Sequence, residues 1–235
     1  MGYRYELHAH TKEGSICSSL PIKEMMALYH EMGYSGVCIT DHFSGGTPLP
    51  NETPWVERVM FYDNVYQEAR KEGEKLGLSV FFGIEYAPIA EAGRFLMPSR
   101  EGRTDFLILG LTTKWLLENE VAFRGMAITQ LRKMREAEAI VIHAHPFLDT
   151  EQLRLIPGCT DAVEVFNAAV SDFGNEAAKS YAQTYGFREV AGSDIHSSNR
   201  KVFAGVETEQ PCATLDELIM AIIGRRAKPF SIIRE

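Results

Sequence analysis

Long apolar runs are missing from this chain. Nowhere in its 235 residues does one approach the roughly 20 residues that a membrane-spanning helix needs. Basic charge is short as well: 24 lysines and arginines stand against 32 aspartates and glutamates, a net charge of −8. Non-specific nucleic-acid binding rests on basic surface that neutralises phosphates, so that class is disfavoured, although a local basic patch stays compatible. Cysteine is sparse. Cys17, Cys38, Cys159 and Cys212 are widely spaced and form no CxxC pair, which suggests reduced thiols in a cytoplasmic protein. The opening Met1-Gly2-Tyr3-Arg4 runs straight into strand-like sequence, so no signal peptide is expected. Glycine-rich phosphate turns of the GxGxxG or GxxxxGK type are absent too.

Alternating segments fill the chain instead. Seven short runs rich in β-branched and aromatic residues lie at 3–7, 36–39, 79–83, 105–109, 139–142, 162–166 and 188–191. Between them helices are predicted over 21–32, opened by Pro21 and stopped at Gly33, over 55–76, ended by Gly77, and over 124–138, 173–185 and 214–223. Such alternation implies one α/β domain over 1–235, with a parallel sheet and helices outside it. With no phosphate turn after the first run, a barrel is favoured over an open doubly wound sheet. Loops 43–54 and 87–104 are rich in glycine and proline and long enough to act as lids.

Histidine marks the ends of these runs. In "YELHAHTKEG", His8 and His10 are two apart, and residues i and i+2 of a strand point the same way. The second run is followed by Thr40-Asp41-His42, the third by Glu85, the fifth by His143 and His145. The sixth ends at Asn167 and the seventh runs into Ser193-Asp194-Ile195-His196. Only the fourth, ending at Leu109-Gly110, lacks such a group. Six of the seven histidines sit at these ends; His30 is the exception. A parallel barrel gathers the carboxyl ends of its strands on one face, where active sites form. Imidazoles and carboxylates are the usual ligands of zinc, manganese and iron. His8, His10, His42, Glu85, His145, Asp194 and His196 are too many for one tetrahedral ion and suit two or three ions, with Glu85 as the natural bridge. Paired ions generate hydroxide from bound water at neutral pH and clamp phosphoryl oxygens, so phosphoester hydrolysis leads and amide hydrolysis follows.

The set "HAH" at 8–10, "ITDH" at 39–42, "GIE" at 83–85, "AHP" at 144–146, "VEVFN" at 163–167 and "GSDIH" at 192–196 resembles the PHP (polymerase and histidinol phosphatase) family. The resemblance implies a distorted seven-stranded α/β barrel related to the TIM barrel. It also implies a metal-dependent phosphoesterase or polymerase-associated nuclease with up to three metals. By that resemblance His8, His10, Glu85 and Asp194 hold one ion, Glu85 and His145 belong to a second, and His42 and His196 to a third. Family members often carry Asp or His shortly after HxH, where this chain has Ser15 and Ile16. Glu13 is then the nearest substitute ligand and Cys17 a poorer one. Many members also have histidine where Leu107 stands, so His143 becomes a candidate for the second ion.

The remaining candidates each have two readings. Asp41 either orients a ligand and moves protons or caps its loop. His143 is a ligand, a proton donor or a supporting group. Asn167 bonds either the ligand residues or the substrate. Arg200 and Lys201, like Arg94, Arg100 and Arg103, either hold a phosphate or lie on solvated surface. The expected partner is a small phosphoester such as histidinol phosphate or a nucleotide. The alternatives are a non-catalytic, partner-binding domain of the same fold and a metal-dependent amidohydrolase.

Overall fold

In the computed structural model, residues 2–88, 104–148 and 155–234 are described. The predicted loop 87–104, with Arg94, Arg100 and Arg103, falls almost wholly outside them. The elements run β1 (Tyr3–Glu6), α1 (Ile22–Glu31), β2 (Gly36–Ile39), α2 (Trp55–Glu74), β3 (Ser79–Tyr86), β4 (Phe106–Leu109), α3 (Thr113–Glu118), α4 (Ala127–Glu136) and β5 (Ile140–His143). They continue with β6 (Ala162–Asn167), α5 (Asp172–Tyr185), β7 (Arg188–Gly192), β8 (Val202–Thr208), α6 (Leu215–Ile223) and β9 (Lys228–Ile233). No helix among the described residues is long and apolar enough to cross a membrane.

The sheet order is β7-β6-β5-β4-β3-β2-β1-β8-β9. The first seven strands curl until their ends meet. Just past β1 and β7, Ala9 and Ile195 form a parallel bridge, and His10 N donates to Ile195 O at 3.2 Å. The result is a nearly closed α/β barrel. Strands β8 and β9 were not expected from the sequence; they add an antiparallel pair along β1.

One strand runs the other way. β1, β2 and β3 are parallel, as are β5, β6 and β7, but β4 is antiparallel to both of its neighbours. The expectation of an all-parallel barrel is therefore corrected at β4. Because β4 is reversed, its carboxyl end, Leu109-Gly110, lies at the opposite rim. Its amino end, Thr104-Asp105, lies among the carboxyl ends of its neighbours. This explains why the fourth run closes without a polar group: the polar group comes first.

Side-chain alternation builds the core. Ile140 and Ile142 of β5 face inward with Leu7, Leu107, Leu109 and Val190, while Val141 packs in an outer cluster with Ile108 and Met134. At the rim away from the histidines, α6 plugs the barrel with Leu218, Ile219, Ala221 and Ile222. Thr214 opens that helix with a capping box: its hydroxyl accepts from Glu217 N and the Glu217 side chain accepts from the Thr214 amide. Outside, α1 and α2 cover β2 and β3 through Met25, Met26, Tyr29, Val65 and Ala69.

The plug predicts a contrast along one helix. Leu218 is 0% exposed and Met220 is 57% exposed. Leu218→Ala should cost about 2–5 kcal/mol of stability, read as a lower urea midpoint, whereas Met220→Ala should stay within about 0.5 kcal/mol of the parent. Equal losses at the two positions would mean that α6 does not fill the barrel.

Candidate metal centre

The site begins with an irregularity just past β1. Tyr5 and Leu7 face the barrel interior, Ala9 packs outside it, and both His8 and His10 face inward, so neighbouring Leu7 and His8 share a side. A regular strand cannot do this, because its side chains alternate. The amides freed by the break are taken by a carboxylate: Glu6 Oε1 accepts from Leu7 N at 3.0 Å and His8 N at 2.8 Å. The same oxygen accepts from Ser193 N at 3.0 Å, which draws the end of β7 against β1. Tyr29 donates to Glu6 Oε2 at 2.9 Å.

Six side chains then converge. His8 Nε2 lies 3.5 Å from Asp194 Oδ1 and 3.6 Å from Glu85 Oε1. His10 Nε2 lies 3.3 Å from Asp194 Oδ1 and 3.5 Å from Glu85 Oε2. His145 Nε2 is 3.1 Å from Glu85 Oε1, and His42 Nδ1 contacts Glu85 Oε2. Four overlapping groups have ligand atoms within 4.8 Å of one another: His8–His10–Glu85, His8–His145–Asp194, Glu85–Asp105–His145 and His10–His42–His196. Asp105 is the member that the sequence reading missed, because a parallel β4 would have placed it at the far rim. His145 and Asp194 hold positive φ angles of 27° and 47°, a backbone region that non-glycine residues rarely occupy and that clusters at functional sites.

The surrounding bonds orient the two imidazoles. Glu164 Oε1 accepts from His8 Nδ1 at 3.0 Å, which turns His8 Nε2 toward the centre. Ser15 donates its hydroxyl proton to Asp41 Oδ1 at 2.7 Å and therefore accepts from His10 Nδ1 at 3.3 Å, which leaves the His10 lone pair on Nε2. These two Nε2 atoms stand 3.0 Å apart. Burial opposes protonation of His8, but Asp194 and Glu164 outweigh it and hold this imidazole well above its usual range, so in the absence of an ion a proton on His8 Nε2 bridges the pair. A cation held by the two nitrogens and the flanking carboxylates would take that proton's place. Glu85 Oε2 adds to this: it is buried and accepts no well-aligned hydrogen bond among the described residues. The donor set fits a divalent transition-metal centre.

The close packing of these groups shifts their titration. Burial opposes protonation of His42 and His145, yet Glu85 raises them to about 10 and 9. Burial together with the neighbouring His42 pushes His10 down to about 3. Burial also opposes ionisation of the Cys17 thiol, but His196 and His42 beside it outweigh this and bring it to about 6.

Other candidates take places around the cluster. Asn167 donates to Glu164 Oε2 at 2.8 Å and to Asp194 Oδ2 at 3.2 Å, holding one ligand candidate and the support of another. Asp41 sits one step back, accepting from Thr11 and Ser15. Arg200 reaches the carbonyls of Ala168 and Asp194, both at 3.1 Å.

Three candidates are not brought in. The Glu13 carboxylate accepts from Ile22 N at 3.2 Å and so closes the start of α1, which Pro21 leaves without a side-chain cap. His143 lies on the outward row of β5, stacked on Phe106 at 4.7 Å and bonded to Thr104 Oγ1 at 2.9 Å. Lys201 is exposed, and its carbonyl accepts from Arg234 N. Glu164 and Glu6 are supports that the sequence reading did not weigh, although both belong to the strands it identified. Gly192 makes room for one of them: a Cβ there would lie 2.2 Å from Glu164 Oε1 and 2.6 Å from His8 Cβ.

The PHP domain model matches residues 6–196. The chain belongs to the PHP family. No curated protein matches its sequence. Among solved structures it is similar to a two-domain protein from Bacteroides vulgatus that contains a predicted PHP-like metal-dependent phosphoesterase (TM-score 0.68, 16% identity). That match covers 98% of this chain but only 65% of the other, so the chain spans less than two thirds of that protein. It is also similar to the lesion-specific endonuclease EndoQ from Pyrococcus furiosus, with TM-score 0.57, 18% identity and coverage of 95% and 56%. An amidohydrolase from Chromobacterium violaceum, solved with sulfate and no metal, gives TM-score 0.54, 12% identity and coverage of 83% and 88%. At these identities the likenesses establish the fold.

The Glu6 arrangement predicts a stability effect away from any ligand. Glu6→Ala leaves three buried amides unpaired, at about 1–3 kcal/mol each, so its urea midpoint should fall sharply. Glu6→Gln keeps an acceptor oxygen and should lose much less. An unchanged midpoint in Glu6→Ala would show that the end of β1 does not depend on this carboxylate.

Proposed function

We propose that the protein is a metal-dependent phosphoesterase that hydrolyses a small phosphate ester. Its centre is assigned to His8, His10, Glu85 and Asp194 for one ion, Glu85, Asp105 and His145 for a second, and His42 and His196 for a third. The observation that carries this reading is the pair of imidazole Nε2 atoms 3.0 Å apart among buried carboxylates. Family membership supports the choice of phosphoester over amide.

Divalent ions of the zinc, manganese or iron kind would supply an activated water and a clamp for phosphoryl oxygens. The chain's own residues do the aiming. Glu164 sets the tautomer and tilt of His8, and Ser15, held by Asp41, sets those of His10. Metal-bound histidines characteristically lean on partners of this kind. Asn167 keeps the Asp194 carboxylate turned inward. Arg200, anchored on the Asp194 carbonyl, is assigned to the substrate phosphate through its remaining N–H groups, because a guanidinium matches phosphate geometry.

The test joins metal content to activity. Purified protein should carry at least two transition-metal ions per chain by elemental analysis. It should hydrolyse members of a panel of phosphomonoesters and phosphodiesters, lose that activity to a chelator and regain it with manganese or zinc. Losing a single outer partner typically costs 10–100-fold, so Glu85→Gln, at the junction of the groups, should lose at least about 100-fold while remaining folded. Turnover of amides but not phosphoesters would make the protein an amidohydrolase. A folded protein that takes up no metal would make it a binding domain.

A further inference from the structure

The third group has His42 and His196 of its own and shares His10 with the first. Glu13, the carboxylate expected there, is spent on α1. Segment 15–19 nevertheless lies over this group. Ile16 N donates to Gly46 O at 2.9 Å, Ser19 N donates to His196 O at 2.8 Å, and Ser18 Oγ donates to His10 O at 2.8 Å. The exposed Cys17 is therefore held between the His42 loop and the His196 turn, where the neighbouring imidazoles favour its thiolate form against burial. Gly46 allows this approach. Its φ is +113°, and a Cβ there would lie 2.6 Å from His42 Cδ2. His196 Nδ1 bonds to Asp194 O at 3.0 Å, which leaves the Nε2 lone pair for an ion. The buried Glu85 Oε2, without an aligned donor, reaches the same space beside His42.

We propose that Cys17 is a thiolate ligand that completes the His42–His196 ion site. This rests on the metal-centre reading and adds sulfur to it. On binding, the S–H proton passes to solvent as the metal–sulfur bond forms. Sulfur at this position biases the site toward zinc or iron(II) and away from manganese and magnesium. The other cysteines cannot substitute. Cys38 and Cys212 belong to the barrel-interior cluster, and Cys159 packs on the outside, donating to Ile128 O.

Cobalt(II) tests it. Metal-free protein is titrated with cobalt, and bound cobalt is counted by elemental analysis. The near-ultraviolet sulfur-to-cobalt charge-transfer band is then compared between the parent and Cys17→Ser, with circular dichroism as the check on folding. The expected result is a band that saturates at one cobalt per chain in the parent and is absent in Cys17→Ser, which binds one cobalt fewer. A second readout is alkylation of Cys17 by iodoacetamide, expected to slow about tenfold or more on metal loading because the free thiolate is the nucleophile. Cobalt bound by the parent without the band overturns the proposal, as does a band that survives in Cys17→Ser; in both cases the metal centre stands. Failure of the parent to bind any cobalt overturns the metal-centre reading and this proposal together.

Discussion

Buried negative charge is the constraint on which the rest of this structure depends. Glu85, Asp105 and Asp194 meet at one rim of a barrel whose interior is otherwise apolar, and Glu6, Asp41 and Glu164 stand just behind them. Carboxylates removed from water are costly unless something positive or hydrogen-bonding faces them. Those behind are satisfied by amides, hydroxyls and imidazole N–H groups. Those in front meet the imidazoles of the centre. This division by partner separates the scaffold from the centre. It also accounts for the local irregularities: the break between Leu7 and His8, the positive φ angles of His145 and Asp194, and the bare backbone at Gly192.

Much of this was legible in the sequence because strand periodicity and strand ends leave direct marks. Runs followed at once by His8, Asp41-His42, Glu85, His145 and Asp194 could be read without knowing how the strands pair. The failures share one origin, which is that linear order does not carry direction or facing. Asp105 was passed over because β4 runs backward, so that the residue opening the run, not one following it, reaches the rim. His143 was drawn in because it is two residues from His145, yet the turn after β5 changes the facing and leaves His143 packed against Phe106. Glu13 was drawn in by proximity, whereas the nearest unsatisfied donor was the amide of Ile22. Strand β9 was missed because it is largely exposed and opens with Lys228-Pro229, a weak strand signal.

Family membership and fold place the protein among barrels whose solved relatives carry different names, a phosphoesterase, an endonuclease and an amidohydrolase among them. A shared fold does not select one chemistry; that lies in the site and the loops above it. In this chain the rim carries Arg200 anchored beside Asp194 and loop 43–54 secured by Arg58, which reaches Thr47 and the Pro50 carbonyl.

The joint between β1 and β7 has a consequence for how the molecule is made. Glu6 meets Ser193 across 187 residues of sequence, and His8 and His10 face Asp194 across a similar span. Contacts this distant in sequence form late, since the chain entropy of closing so large a loop opposes them. During synthesis His8 and His10 leave the ribosome long before Asp194 and wait, half-assembled, until β7 has followed. A chain truncated before β7 has no Asp194 or His196 with which to finish the centre.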